Sequence, residues 1–148
     1  IGNGIGLAAS LAAGAGAVAM GTRFIASKES EFHEDYKAIV PPATCTDTTF
    51  VTGFIAPIRL WKNKYTASHD LVQSKEEKIA KEEAMSVEDL IEDQRHYEEV
   101  YEGKVEEGAT PLGQCCGVID SIDHVDDIME RMIKEAEEHI KQANAMIM

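Results

Sequence analysis

The amino-acid sequence predicts an α/β chain, and three observations carry that expectation. A glycine-rich loop, a helix-forming stretch and a short apolar run follow one another within Ile1–Met20. That order is the second half of a strand–helix–strand unit, whose first strand would lie before Ile1. The end of the chain, from Val125 to Ile140, is an amphipathic helix with one apolar and one charged face.

Taken in order, IGNGIG (Ile1–Gly6) reads as a turn, because its three glycines and Asn3 tolerate positive φ. Leu7–Ala13 is rich in helix formers, with Gly14 and Gly16 as a stop. Ala17–Met20 suits a buried parallel strand closed by Gly21 and Thr22. Ser27 or Ser30 is expected to cap a helix through Lys37, with Pro41–Pro42 ending it. Thr48–Thr52 is β-branched and aromatic and predicts a short strand. Arg59–Lys64 fits a short helix or an extended segment. Lys75–Glu83 predicts a charged, solvated helix. Ser86 and Asp89 form a capping box that opens a helix through about Tyr101. Gly108–Gly117 reads as a loop holding Pro111 and the vicinal cysteines. In the last helix Val125, Ile128, Met129, Met132, Ile133, Ala136 and Ile140 share one face.

Charge narrows the function. With 14 basic against 27 acidic side chains, the net charge of −13 repels nucleic acid and anionic lipid. Residues 1–20 carry no charge, yet their glycines and alanines give little drive into lipid, and no basic leader precedes an apolar core. Cys45, Cys115 and Cys116 are an odd set without C-x-x-C spacing, which fits a reduced, cytoplasmic setting. The two vicinal cysteines read as small buried residues in an acidic chain. None of His33, His69, His96, His124 and His139 has a partner at metal-ligand or nucleophile spacing. His33 reads as a surface residue, His69, His96 and His139 as solvated, and His124 as part of the last helix's opening turn.

The chemistry lies in the first two dozen residues. A glycine-rich loop before a helix, then Gly-Thr after the next apolar run, suits a phosphate cradle, since glycines let main-chain N–H groups approach the oxygens. Gly2, Asn3 and Gly4 would come from the first loop, Gly21 and Thr22 from the second. The dinucleotide fingerprint fails because position 7 is Leu7, and no Lys-Ser/Thr pair completes a P-loop. Composition alone leaves a second reading open, a tight turn that lets helices pack closely.

The stretch IGNGIGLAASLAAGAGAVAMGTRFIASKES resembles the region from the seventh strand to past the eighth in the nitronate monooxygenase family, which includes the flavin-containing enoyl-ACP reductases. The likeness continues through His33–Lys37, Thr52–Asn63 (TGFIAPIRLWKN), Pro111–Asp120 (PLGQCCGVID) and the final helix, and is weakest from about Thr66 to Ala84. The resemblance implies the C-terminal fragment of an FMN-binding (β/α)8 TIM barrel with a largely helical C-terminal extension. Residues 1–65 would be the last βα unit and residues 66–148 a helical segment packing on it. The chain would then begin downstream of the start of its fold, since a complete barrel takes eight strands and at least about 200 residues.

It further implies an oxidoreductase that holds FMN through Ala19, Met20, Gly21 and Thr22, the positions of the family's Gln-Met-Gly-Thr block. Ala19 stands where that Gln usually does, so only its main chain can contribute. Gly2 and Asn3 adjoin the place of a family Gly-Gly pair that would precede Ile1. The family's catalytic His also lies upstream, so no catalytic residue is expected in this chain. Gln114, on a loop that folds over the barrel mouth in the family, is a candidate for approaching cofactor or substrate, or else a turn-stabilising amide. Implied partners are a nitronate with O2, or an enoyl thioester with NAD(P)H. A homo-oligomer is also compatible. A fragment without catalysis, needing the rest of the barrel, is the alternative of a different class.

Overall fold

The computed structural model describes residues 1–52, 57–72 and 74–147. Gly53–Ala56, within the TGFIAPIRLWKN block, lie outside the described residues. The elements run α1 (Gly4–Ala12), α2 (Thr22–Ile25), α3 (Glu34–Ala38), β1 (Thr48–Thr52), β2 (Pro57–Trp61), α4 (Lys64–Ala67), α5 (Lys75–Ala84), α6 (Val87–Tyr101) and α7 (Val125–Ile147). Short 3-10 turns occupy Cys45–Asp47 and Gln114–Val118.

Helix α1 starts earlier than expected. Asn3 is its N-cap, its side chain accepting from Gly6 N at 3.0 Å, so half of the predicted turn is already helix. Gly14, at φ 92°, ends the helix in the left-handed region as glycine can. Ala17–Met20 is not a strand: it has no regular secondary structure and pairs with nothing among the described residues, and Ala17 and Ala19 are exposed. A parallel strand needs neighbours on its edges, and the described chain places none there.

The capping expectation for α3 is also corrected. His33, not Ser27 or Ser30, caps it by accepting from Asp35 N at 3.2 Å. Ser27 instead donates to the Phe24 carbonyl at 2.8 Å, so its hydroxyl is committed elsewhere. β1 forms as predicted and pairs antiparallel with β2, Thr48 opposite Trp61 and Thr52 opposite Pro57. Arg59–Lys64 resolves into the end of β2 and the start of α4. The capping box on α6 is present, with Ser86 Oγ accepting from Asp89 N at 3.1 Å.

Two adjoining cores form. Ile25, Tyr36, Val40, Val100, Leu112, Cys116 and Ile119 make one, and Tyr36 donates its phenol proton to the Pro111 carbonyl. Val51, Leu60, Tyr65 and Ala109 make the other, under the hairpin. Segment 110–112 lies along β2, Trp61 N donating to Thr110 O at 2.8 Å. His69 and His96 are half-buried rather than solvated. The His69 ring stacks on Tyr65 at 3.9 Å, and the His96 ring tilts against the same Tyr65 at 4.9 Å.

Helix α7 buries Ile128, Met132 and Ala136, while Met129, Ile133 and Ile140 of the same predicted face stay exposed. Its N-terminus is capped from a distance, Glu29 accepting from Val125 N at 3.0 Å and meeting His124 Nδ1 at 2.8 Å. α7 crosses α1 at Gly4, where an added Cβ would lie 2.6 Å from Met132 O and 2.9 Å from Ala136 N. Backbone atoms cannot step aside there. Gly4→Ala is therefore expected to cost about 1–3 kcal/mol of stability through overpacking. Gly16→Ala, at a site with nothing within 4 Å, should leave the melting temperature nearly unchanged. Thermal unfolding of both variants checks this, and equal melting temperatures would remove the close crossing.

Candidate functional site

The residues singled out in the sequence fall into two groups that the structure treats differently. Gly2 and Asn3 stand at the start of α1, closely packed on one side and bordering a cavity on the other. Gly2 is buried, and a Cβ there would lie 3.0 Å from Cys115 O, Ile119 Cγ1 and Val118 Cγ2. Gly4 N donates to the Glu135 carboxylate at 2.9 Å, and Asn3 Oδ1 takes the Gly6 N–H. The positive end of α1 is thus matched by a carboxylate of α7. Close packing is what these glycines visibly supply.

The second group is open. Ala19 and Gly21 are exposed and Met20 is half-buried, while Thr22 is buried at 6% exposure. Among the described residues, nothing accepts from the main-chain N–H groups of Ala19, Met20, Gly21 or Thr22. A Cβ at Gly21 would meet nothing within 4 Å, so the space over this turn is free. The Thr22 hydroxyl accepts from Gly113 N at 3.0 Å. A hydroxyl that accepts on one side keeps its own proton to donate on the other.

These amides and one hydroxyl are what an anionic group needs: neutral donors, no charge to desolvate, and room. An apolar groove of about 760 Å³ runs on from the turn, bordered by Met20, Gly21, Phe24, Phe32, Tyr101 and Val125. A smaller cavity of about 280 Å³ lies beneath the start of α1, lined by Asn3, Arg23, Arg131, Glu135 and His139.

Gly113 links the first group to the second. It donates to Thr22, and the 3-10 turn that follows it packs on Gly2. Gln114, exposed, comes directly after Gly113 and so stands beside the Gly21–Thr22 turn. Sequence reasoning missed Gly113, because a contact across 91 residues leaves no local mark. It missed Arg23 as well, although a guanidinium inside the short apolar helix α2 is itself a signal: it is only 2% exposed. No set of His, Cys, Asp and Glu among the described residues could hold a metal. Nor is any described helix long and apolar enough to cross a membrane.

Comparison with known proteins fits this arrangement. The family model for nitronate monooxygenase matches residues 1–135. FabK from Thermotoga maritima superposes with a TM-score of 0.75 at 31% identity, over 98% of this chain and 44% of that one. A FabK point mutant from the same organism gives 0.76 and 32%, over 98% and 41%. No curated protein sequence matches significantly. The matched family is one of flavin-dependent oxidoreductases. The chain belongs to the nitronate monooxygenase family, of which it resembles an α/β part, and it spans less than half the length of the two FabK chains.

The cysteines differ among themselves. Cys116 is buried at 1% exposure, and burial pushes its thiol above the ordinary range; Cys115 is half-buried, which corrects the expectation for it, and Cys45 is exposed. A thiol raised in this way stays protonated to higher pH, so its thiolate is scarce. With a disulfide reagent at pH 8, Cys45 should react first and Cys116 only on unfolding. Mass mapping of the labelled peptides tests that order, and early labelling of Cys116 would contradict its burial.

Proposed function

We propose that this chain carries the phosphate end of an FMN site in an oxidoreductase that oxidises alkyl nitronates with molecular oxygen. The observation that carries the reading is the open Ala19–Thr22 turn, with unpartnered amides and a Thr22 hydroxyl oriented by Gly113. The residues present fit a phosphate there: the turn has space at Gly21 and no side-chain charge from Ile1 to Thr22. Gly21 and Thr22 would hold the phosphate oxygens directly, with the main chain of Ala19 and Met20 beside them. Gly2 acts by seating the Cys115–Ile119 turn and Asn3 by capping α1. When bound, the flavin supplies the electron-transfer chemistry. The chain's own part is to bind and orient it. The free cysteines agree with a reducing, cytoplasmic location.

A second reading, reduction of enoyl thioesters by NAD(P)H through the same flavin, is favoured by the similarity to FabK, an enoyl-ACP reductase of the family. Both readings use the same phosphate site. Oxygen uptake on a nitronate against NAD(P)H consumption with an enoyl thioester, measured on the full-length protein, separates them.

Gly21 has φ −101°, so a side chain is tolerated there. Gly21→Asp is expected to fold and to set a carboxylate against the phosphate. Like charges in contact cost several kcal/mol, so FMN affinity should fall by roughly 100-fold or more. Gly16→Asp adds the same charge at another open glycine and should keep the flavin. Absorption spectra of the purified full-length variants decide the matter, and a fully yellow Gly21→Asp protein would overturn the assignment.

A further inference from the structure

Two distant segments run side by side next to the open turn, tied at four successive places. Gly113 N donates to Thr22 Oγ1 at 3.0 Å. Arg23 Nη2 donates to Ser121 O at 2.6 Å and to Ala26 O at 2.6 Å. Ser27 forms a parallel bridge with Asp123, and Lys28 N donates to Asp123 O at 2.9 Å. Glu29 takes His124 Nδ1 and Val125 N. Segment 113–125 is thus a strap laid along residues 22–29.

Arg23 is the unusual member. Its guanidinium is almost wholly inside the protein, yet no carboxylate bonds it directly and its buried Nε has no partner among the described residues. Asp123, two residues from Ser121, is taken by Arg131 at 2.6 Å, and Asp120 accepts from the Ser121 hydroxyl at 3.1 Å. Burial, with Arg131 close by, lowers the Arg23 pKa. Such a group is a poor device for stability, because desolvation opposes it and only two carbonyls repay the loss. It is a good device for geometry. One nitrogen bridges the carbonyl that ends α2 and a carbonyl of the strap, so it fixes how far the strap sits from the residue before it, Thr22.

We propose that Arg23 is a positioning residue for the cofactor phosphate: by clamping Ser121 to Ala26 it sets Gly113 N–H against Thr22 Oγ1 and so aims the Thr22 proton at the open turn. Arg23 itself touches no cofactor. This rests on the phosphate-site reading above. It makes the C-terminal strap, rather than the turn alone, responsible for telling a phosphorylated flavin from riboflavin.

The test is the ratio of affinities for FMN and for riboflavin, which lacks the phosphate, read by flavin fluorescence in the full-length protein. Arg23→Met should weaken FMN by roughly tenfold, the size of one hydrogen bond to a charged group, while riboflavin binding holds. Arg23→Lys keeps the charge with a less suitable fork and should recover part of the selectivity. If Arg23→Met does not fold, Arg23→Lys is judged by the same ratio. A parallel loss of both flavins marks Arg23 as merely structural and overturns the proposal, as does an unchanged ratio. Thr22→Val reports on the underlying site. If it shifts the ratio while the Arg23 variants do not, the site stands and the positioning role falls. If Thr22→Val leaves the ratio alone, the phosphate site falls and this role with it.

Discussion

The lacing of residues 22–29 to residues 113–125 is the constraint on which the rest of this structure depends. Neither segment has a regular element long enough to hold itself: α2 has four residues and the Gln114–Val118 turn five. Isolated turns of that length are unstable in water, because nucleation fixes more dihedrals than it gains hydrogen bonds. What orders them is each other, together with the Ile25, Leu112, Cys116 and Ile119 side chains buried between them. The same lacing starts α7, since Glu29 caps it, and α7 then covers the start of α1 at Gly4. A short contact between distant segments therefore sets the position of the longest helix.

How much of this could be read from the sequence depends on how local each determinant is. α6 was legible because Ser86 and Asp89 are three residues apart, and α7 because its apolar positions repeat. Ala17–Met20 reads as a strand, but pairing depends on partners elsewhere, and the described chain offers none. The cap at His33 was misplaced to serines because serine is the commoner cap, whereas an imidazole nitrogen accepts from Asp35 N equally well here. His69 and His96 were placed in solvent by their charged neighbours, although Tyr65 draws both rings inward.

The glycines show why a site is harder to read than a helix. Absence of a Cβ serves close approach of any kind, to a phosphate or to another helix. Gly4 uses it for α7, with Met132 O and Ala136 N in the way of any side chain, whereas Gly21 faces open space. Residue type is the same in the two cases. Only the partner distinguishes them, and the partner of Gly4 is more than a hundred residues away. The MGTRF block points to a site as a string, yet the contacts of Gly113 and Arg23 emerge only when residues 113–125 are laid beside it.

On the proposed reading, an acidic chain must hold a dianion and keep its own carboxylates away. The net charge of −13 would by itself oppose such binding. Its distribution removes the difficulty, since no side chain from Ile1 to Thr22 is charged and the acid is concentrated on α5, α6 and α7. Solvent screens exposed carboxylates beyond about 8–10 Å, so the ones that weigh most are Glu29 and Glu31, which line the same groove as Met20 and Gly21. Glu135, the carboxylate that does reach the glycine-rich segment, is engaged by Gly4 N at the start of α1. Neutral donors can then do what a basic cluster would otherwise have to do. This also explains why the nearby guanidinium of Arg23 faces carbonyls: its task is to fix the frame in which the Thr22 hydroxyl and the bare amides are presented.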